Sequence, residues 1–137
     1  MADYYTNFST LIKDLTSEEC EWWRNYLREE EKKKESKNYW LVCEIELRDS
    51  EVWLYSEDCC DIEKTAELIQ SFLAAHRSDG CHSFEWADYC NKPRLDSFSG
   101  GGCFITATKL QFFSPYKEIM KARKKFDYKI SKNEKER

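Results

Sequence analysis

Four side chains that could do metal or thiol chemistry lie close together in the sequence, around one aromatic-rich segment. They are Cys81, His82, Cys90 and Cys103, and thiolate and imidazole groups are common zinc ligands. Their spacing does not fit a zinc site, because no Cys-x-x-Cys or His-x-x-x-His pair occurs. Cys81 and His82 are adjacent, so on a strand they would point to opposite faces. We therefore expect no metal ion and no cofactor.

Thiol catalysis is the second chemistry that these residues suggest. His82 paired with Cys90 or Cys103 across a hairpin would have the parts of a nucleophilic dyad. Nothing in the sequence provides a group that would orient the histidine. The carboxylates of Glu44 and Glu46 alternate along a predicted strand, which is typical of a solvated face. We therefore predict that the protein is not an enzyme and has no catalytic residues.

The glycine run at positions 100–102 is the third feature to consider, because glycine-rich loops can bind phosphate. The run lacks the Gly-Lys-Ser/Thr ending of such loops and precedes a predicted strand rather than a helix. We expect these glycines to adopt positive φ or to let the backbone pack against an aromatic side chain such as Phe98 or Trp86.

Hydrophobic periodicity and turn signals predict the elements that position these residues. The predicted order is β-α-β-β-α-β-β-α, an α+β domain with an antiparallel sheet of about five strands and helices mainly on one face. The pattern predicts strands over residues 3–13, 39–47 and 52–57, helices over 17–34 and 62–77, a hairpin over 83–110 and a helix from Pro115. We assign residues 1–128 to this single domain and residues 129–137 to a polar, flexible tail.

The alternation within the predicted strands indicates which side chains are buried. The sheet face under the second helix is predicted to take Cys43, Ile45, Leu47, Trp86, Phe104 and one of Val52 or Leu54. In the third helix, Tyr116, Ile119 and Met120 are expected to face inwards. Gly80 follows the second helix where a left-handed residue is common.

The composition indicates the cellular compartment in which the protein works. The chain has seven cysteines, an odd number without a regular framework, so we expect buried thiols rather than disulfides. No apolar run approaches the roughly 20 residues that span a bilayer, and the first residues do not resemble a secretory signal. We therefore expect a cytoplasmic protein that does not bind membranes.

The net charge of −4 conceals a strong asymmetry along the chain. Residues 1–100 carry 22 acidic and 12 basic side chains, whereas residues 101–137 carry 4 acidic and 10 basic ones. An acidic body favours a protein partner with a basic surface, and a basic C-terminal segment can contact nucleic acid.

Two sets of residues are candidates for binding such partners. The first is the proline-stiffened loop between the hairpin strands, with Lys92, Arg94 and Phe98 as partner-binding residues. The alternative is the face of the C-terminal helix that would contact phosphates, formed by Lys117, Lys121, Lys124 and Lys125. The sequence leaves both open and does not indicate an oligomeric state.

Two segments carry a resemblance to other proteins. The start Tyr4-Tyr5-x-x-Phe8-Ser9 and the later run FEWAxxCxKPR, with Gly100–Gly102 and ITAT after it, resemble a group of small uncharacterised bacterial and phage-type proteins. The resemblance implies no activity. From size, acidity and the lack of a catalytic set, we expect a non-enzymatic inhibitor of a protein partner, of the immunity or phage anti-defence type. The alternative is a nucleotide- or RNA-binding module that uses sheet aromatics and the basic helix.

Overall fold

A computed structural model of the protein describes residues 3–92 and 98–135. Within them, six strands and three helices follow one another along the chain: β1 (Tyr4–Ile12), α1 (Ser17–Lys33), β2 (Glu44–Arg48), β3 (Glu51–Ser56), α2 (Ile62–His76), β4 (Cys81–Cys90), β5 (Ser99–Thr106), β6 (Leu110–Phe113) and α3 (Pro115–Lys135). The predicted α+β class and antiparallel sheet are confirmed, with one strand more than expected. α3 continues to Lys135, past residue 129, where we placed the start of a polar tail.

The strands form one sheet in the order β2-β3-β1-β4-β5-β6, and every neighbouring pair is antiparallel. Successive side chains of a strand point to opposite sides, so the sheet has two distinct faces. The core face carries Phe8, Ile12, Val52, Leu54, Phe84, Cys103 and Ile105, all of them buried. The open face carries the alternate residues, including Ser9, Leu11, Trp53, Tyr55, Glu85 and Phe104.

α1 and α2 cover the core face. A capping box starts α1: the Thr16 side chain accepts a hydrogen bond from the Glu19 amide, and the Glu19 carboxylate accepts one from the Thr16 amide. Trp23 of α1 and Phe72 of α2 are both buried and lie 5.3 Å apart between ring centroids. These two rings join the helices to each other above the sheet.

The core differs from the prediction in several positions. Val52 and Leu54 are both buried rather than only one of them, because both belong to the core face of β3. Phe104 is 38% exposed, so its predicted burial is wrong. The register of β5 places its neighbours Cys103 and Ile105 on the core face instead.

Two further corrections concern backbone and helix orientation. None of the four glycines has a positive φ, so neither Gly80 nor the glycine run adopts the left-handed conformation that we predicted as one option. In α3, Tyr116, Ile119 and Met120 are exposed rather than inward-facing, and no described residue of that helix is buried. Within the described residues, no helix is long and apolar enough to span a membrane.

Gly101 accommodates an aromatic side chain, as the alternative for the glycine run predicted. A Cβ atom placed there would lie 2.5 Å from Cζ2 of Trp86 and 2.6 Å from the carbonyl oxygen of Phe113. Gly101 is opposite Trp86 in the β4–β5 register, so the ring lies across a position without a side chain. The close approach of ring and backbone therefore depends on glycine.

We expect Gly101→Ala to destabilise the protein by about 1–3 kcal/mol, because either the indole or the β6 backbone must move. Gly102→Ala is the matched control: its Cβ would meet Glu85 and Phe84 atoms at 3.5 Å, which is ordinary contact. Urea unfolding of both variants measures the difference. If the two variants have the same free energy of unfolding, the position of the Trp86 ring does not require a glycine at position 101.

Candidate functional site

Within the residues that the structure describes, no hydrogen bond joins the imidazole of His82 to the thiols of Cys81, Cys90 or Cys103. Cys81 is exposed, whereas His82 is half-buried on the other side of β4 and its Nε2 lies 2.7 Å from Oγ1 of Thr10. Cys90 is eight residues further along the same strand, about 26 Å away at roughly 3.3 Å per residue. In the described part of the chain, no group of three or more acidic, histidine or cysteine side chains could hold a metal ion.

The protonation of these groups also disfavours thiol chemistry. Burial raises the pKa of Cys103 to about 11 and that of Cys43 to about 12, so both are protonated thiols at neutral pH. Burial and the nearby Arg77 lower the pKa of His82, which favours the neutral form of its imidazole. Buried, protonated thiols behave as small apolar side chains of the core.

An open groove lies on the open face of the sheet, between β1, β4, β5 and the first turns of α3. Its volume of about 1330 Å³ exceeds the roughly 300–1,000 Å³ of ordinary small-molecule pockets. Gly100 and Gly102 line it with backbone alone, which leaves room above β5. The groove is bordered by apolar side chains, which are Phe98, Phe104, Phe113, Tyr116 and Ile119. Its size and open shape suit a peptide segment or a protein surface.

The predicted partner-binding residues Lys92 and Phe98 do not lie together in the structure. Phe98 lines the groove and is 62% exposed. Lys92 is exposed after the end of β4 and is not part of the groove lining. Arg94 lies outside the described residues. The structure therefore brings Phe98 together with Phe104 and Phe113, and leaves Lys92 apart from them.

The other end of the open face holds an organised group of side chains that we call the aromatic cluster: Arg48, Trp53 and Tyr55 with Glu46 and Ser9. The rings of Trp53 and Tyr55 stack at 3.9 Å between centroids, and the Arg48 guanidinium lies 5.8 Å from the Trp53 ring. Nε1 of Trp53 donates a 2.8 Å hydrogen bond to Ser9, and the Tyr55 hydroxyl donates one of 3.2 Å to Glu46. Hydrogen bonds at both rings hold them in place before any partner binds.

The aromatic cluster and the groove are parts of one surface. A smaller pocket of about 310 Å³ is lined by Leu11 and by members of the aromatic cluster. Ser9 and Thr10 line both this pocket and the groove. The open face therefore presents a strip from β3 to α3, in which aromatic and apolar groups at the two ends are joined through the polar Ser9 and Thr10.

The charges around this strip are mostly negative. Glu44, Glu46, Glu51 and Glu85 all belong to the open-face side of their strands, whereas Arg48 supplies the positive charge. Partial burial and the hydrogen bond to Glu46 raise the pKa of Tyr55, so it remains a neutral hydrogen-bond donor. Such a surface is complementary to a partner that combines apolar groups with basic side chains.

Our sequence reasoning missed the aromatic cluster, although a signal for it exists. Val52 and Leu54 alternate with Trp53 and Tyr55 in one short strand. If both aliphatic residues are buried, both aromatic residues must face the other way. Two large aromatic side chains on the non-core face of a strand indicate a binding surface.

The four lysines of the alternative nucleic-acid site do share one face of α3. At 3.6 residues per turn, Lys117, Lys121, Lys124 and Lys125 fall within about 100° of the helix circumference. Lys121 lies 3.4 Å from the Glu118 carboxylate, an exposed pair. The exposed ring of Tyr128 lies within the same sector. We call this sector the lysine face.

Comparison of the chain with models of protein families, with curated proteins and with solved structures finds no match.

Proposed function

We propose that the protein is a non-enzymatic binding protein that inhibits a protein partner by covering a surface on it with the open face of its sheet. The observation that carries this proposal is the aromatic cluster, which is ordered by its own hydrogen bonds yet faces away from the core. Tryptophan, tyrosine and arginine are the residues that most often dominate the energetics of protein interfaces. A surface that is already ordered loses little conformational entropy on binding.

The charge of this face supports a partner with a basic surface. Four carboxylates lie on the open face, and residues 1–100 are acidic as a whole. Complementary charge raises the association rate and disfavours acidic competitors. A partner whose basic surface binds nucleic acid would be blocked by steric exclusion, which is the mode of action of the immunity or anti-defence inhibitors that the sequence favours.

The test is capture of partners from the cytosol of the native cells with wild-type protein and with two tryptophan variants. Trp53→Ala removes the centre of the aromatic cluster and is expected to weaken partner binding by about 2 kcal/mol or more, roughly 30-fold. Trp40→Ala is the matched control, because Trp40 is 84% exposed in the segment before β2 and lines neither pocket. Calorimetry with the captured partner measures both affinities. Equal losses in the two variants would contradict binding by the open face.

A second candidate function, nucleic-acid binding, is supported by the lysine face with Tyr128 among its cations. Basic side chains contact phosphates, and an aromatic ring can stack on an unpaired base. Charge reversal at all four lysines would then flatten the salt dependence of binding to a labelled single-stranded RNA by about three units of log–log slope. On our proposal this variant still captures the protein partner, and Phe98→Ala combined with Trp53→Ala does not.

A further inference from the structure

α3 carries an apolar stripe that nothing in the described chain covers. Positions 116, 119, 123, 126 and 130 follow at alternating steps of three and four residues, which is the spacing of a coiled-coil seam. They are occupied by Tyr, Ile, Arg, Phe and Ile, and the four aromatic or aliphatic ones are exposed. A helix of 21 residues, about 31 Å long, derives most of its stability in a protein from packing of its apolar side.

The charged residues of α3 fit the same heptad, which continues with the polar Asn133 at position d and has Met120 at position e. With Tyr116 at position a, the four residues of the lysine face occupy positions b, c and f, which point away from a partner helix. Asp127 and Glu134 occupy position e, and Lys129 occupies position g. Arg123, at position a, lies 3.7 Å from Asp127, so its charge has a partner on its own helix.

We propose that α3 pairs with α3 of a second copy of this chain as a parallel, two-stranded coiled coil. The flanking charges identify both the occupant and its direction. In a parallel pair, Lys129 at g lies beside Glu134 at e of the other helix, on both sides of the seam. In an antiparallel pair, e positions face e positions and g positions face g positions, so Lys129 and Glu134 could not meet across the seam.

The pairing goes beyond the proposed function and shares part of its surface, because Tyr116 and Ile119 at the start of the seam also border the groove. The seam uses the side of α3 opposite the lysine face, and it does not include the aromatic cluster. Two joined copies would present two open faces, so a partner with two sites would be bound with increased avidity. The seam spans less than three heptads and includes an arginine, which specifies register at a cost in stability. The pair is therefore expected to be weak and reversible.

Sedimentation velocity of the full chain, from roughly 1 to 300 µM, tests the pairing. We expect a reversible shift from 16.5 kDa towards twice that mass. Phe126→Ser, in the seam, should weaken the dimer at least about tenfold. Tyr128→Ser is the matched control: its ring is 70% exposed against 62% for Phe126, but it lies on the lysine face, so its dimer should be unchanged.

Two further variants test the register and the direction. Arg123→Leu removes the charged residue from the seam and should strengthen the dimer at least about tenfold, whereas Lys125→Leu, at position c, should not. Lys129→Glu and Glu134→Lys should each weaken it, and the double variant should restore it, because the exchanged charges still face each other.

Three results would overturn the proposal. One is a monomer at every concentration in the wild type and in Arg123→Leu. Another is a dimer that survives Phe126→Ser but is lost in Trp53→Ala, because that dimer would be formed by the open face. The third is a dimer in which the double charge exchange is no better than either single one. Far-UV circular dichroism of each variant verifies that α3 is still formed.

Discussion

Replacing Ile69 with aspartate is expected to unfold the protein. Ile69 is fully buried on α2, within the core that this helix forms with the core face of the sheet. An unpaired carboxylate in that position costs several kcal/mol, and a domain of this size has roughly 5–15 kcal/mol of total stability. Circular dichroism and thermal melting measure the result, and we expect no cooperative transition near that of the wild type.

Two control variants separate this effect from a change in helix propensity or in volume. Ala74→Asp introduces the same carboxylate at an exposed position of α2 and should cost about 1 kcal/mol or less. Ile69→Val keeps the site apolar and should cost about 0.5–1.5 kcal/mol. A melting temperature of the aspartate variant within a few degrees of the Ala74→Asp value would show that α2 does not pack on the sheet as described.

The helices that cover the core could be predicted from sequence because their signals are local. Thr16 with Glu19 marks the start of α1, and Asp61 accepts a hydrogen bond from the Lys64 amide at the start of α2. Six residues of α2 are buried and five of them are apolar, so the period of its apolar stripe is unambiguous. Neither helix needs a distant part of the chain to define where it begins.

Features that depend on long-range register were not predictable in the same way. The run from Cys103 to Thr106 is apolar on both sides, so its alternation does not say which side faces α2, and we buried Phe104 wrongly. β6 was missed because its turn contains neither glycine nor proline. Thr106 makes that turn instead, with its hydroxyl accepting hydrogen bonds from the amides of Thr108 and Lys109.

In the candidate site, too, local features could be predicted from the sequence and features of the whole fold could not. The loop with Lys92 and Arg94 was predicted to bind a partner because it combines proline with cations, which is a local feature of the sequence. The importance of Trp53 depends on which sheet face the helices leave uncovered, and that is a property of the whole fold. The apolar stripe of α3 suggested that this helix also packs on the sheet, yet Ile119 and Phe126 remain exposed. A stripe establishes that a helix packs against something, not that the partner is in the same chain.

A buried ion pair holds together the two helices and the turn before α1. Nε of Arg77 donates a 2.6 Å hydrogen bond to the Glu19 carboxylate, with side chains 30% and 6% exposed, respectively. Arg77 also donates to the carbonyl oxygens of Lys13 and Asp14 at 3.0 and 3.2 Å. Its guanidinium lies 5.5 Å from the Phe72 ring. One side chain at the end of α2 thus supports the capping box of α1.

Arg77→Ala is expected to destabilise the protein by about 3 kcal/mol at neutral pH, because it leaves the Glu19 carboxylate buried without its partner. Arg24→Ala is the matched control: its ion pair with Glu21 at 3.1 Å is exposed on both sides, and such pairs contribute about 0–1 kcal/mol. Urea unfolding of the two variants compares these costs directly.

The same pair predicts a pH dependence with a definite sign. The hydrogen bond from Arg77 holds the pKa of Glu19 below its ordinary value. The stabilisation is therefore complete above that ordinary value, about 4.3–4.5, and is lost as the pH falls through the lower pKa of the folded state. In Arg77→Ala, Arg77 no longer lowers the pKa of Glu19. The difference in the free energy of unfolding from wild type should therefore be largest near pH 7 and should shrink below about pH 4.5. A difference that stays constant from pH 7 to pH 3, or a neutral-pH cost no greater than that of Arg24→Ala, would show that the arginine acts through packing alone.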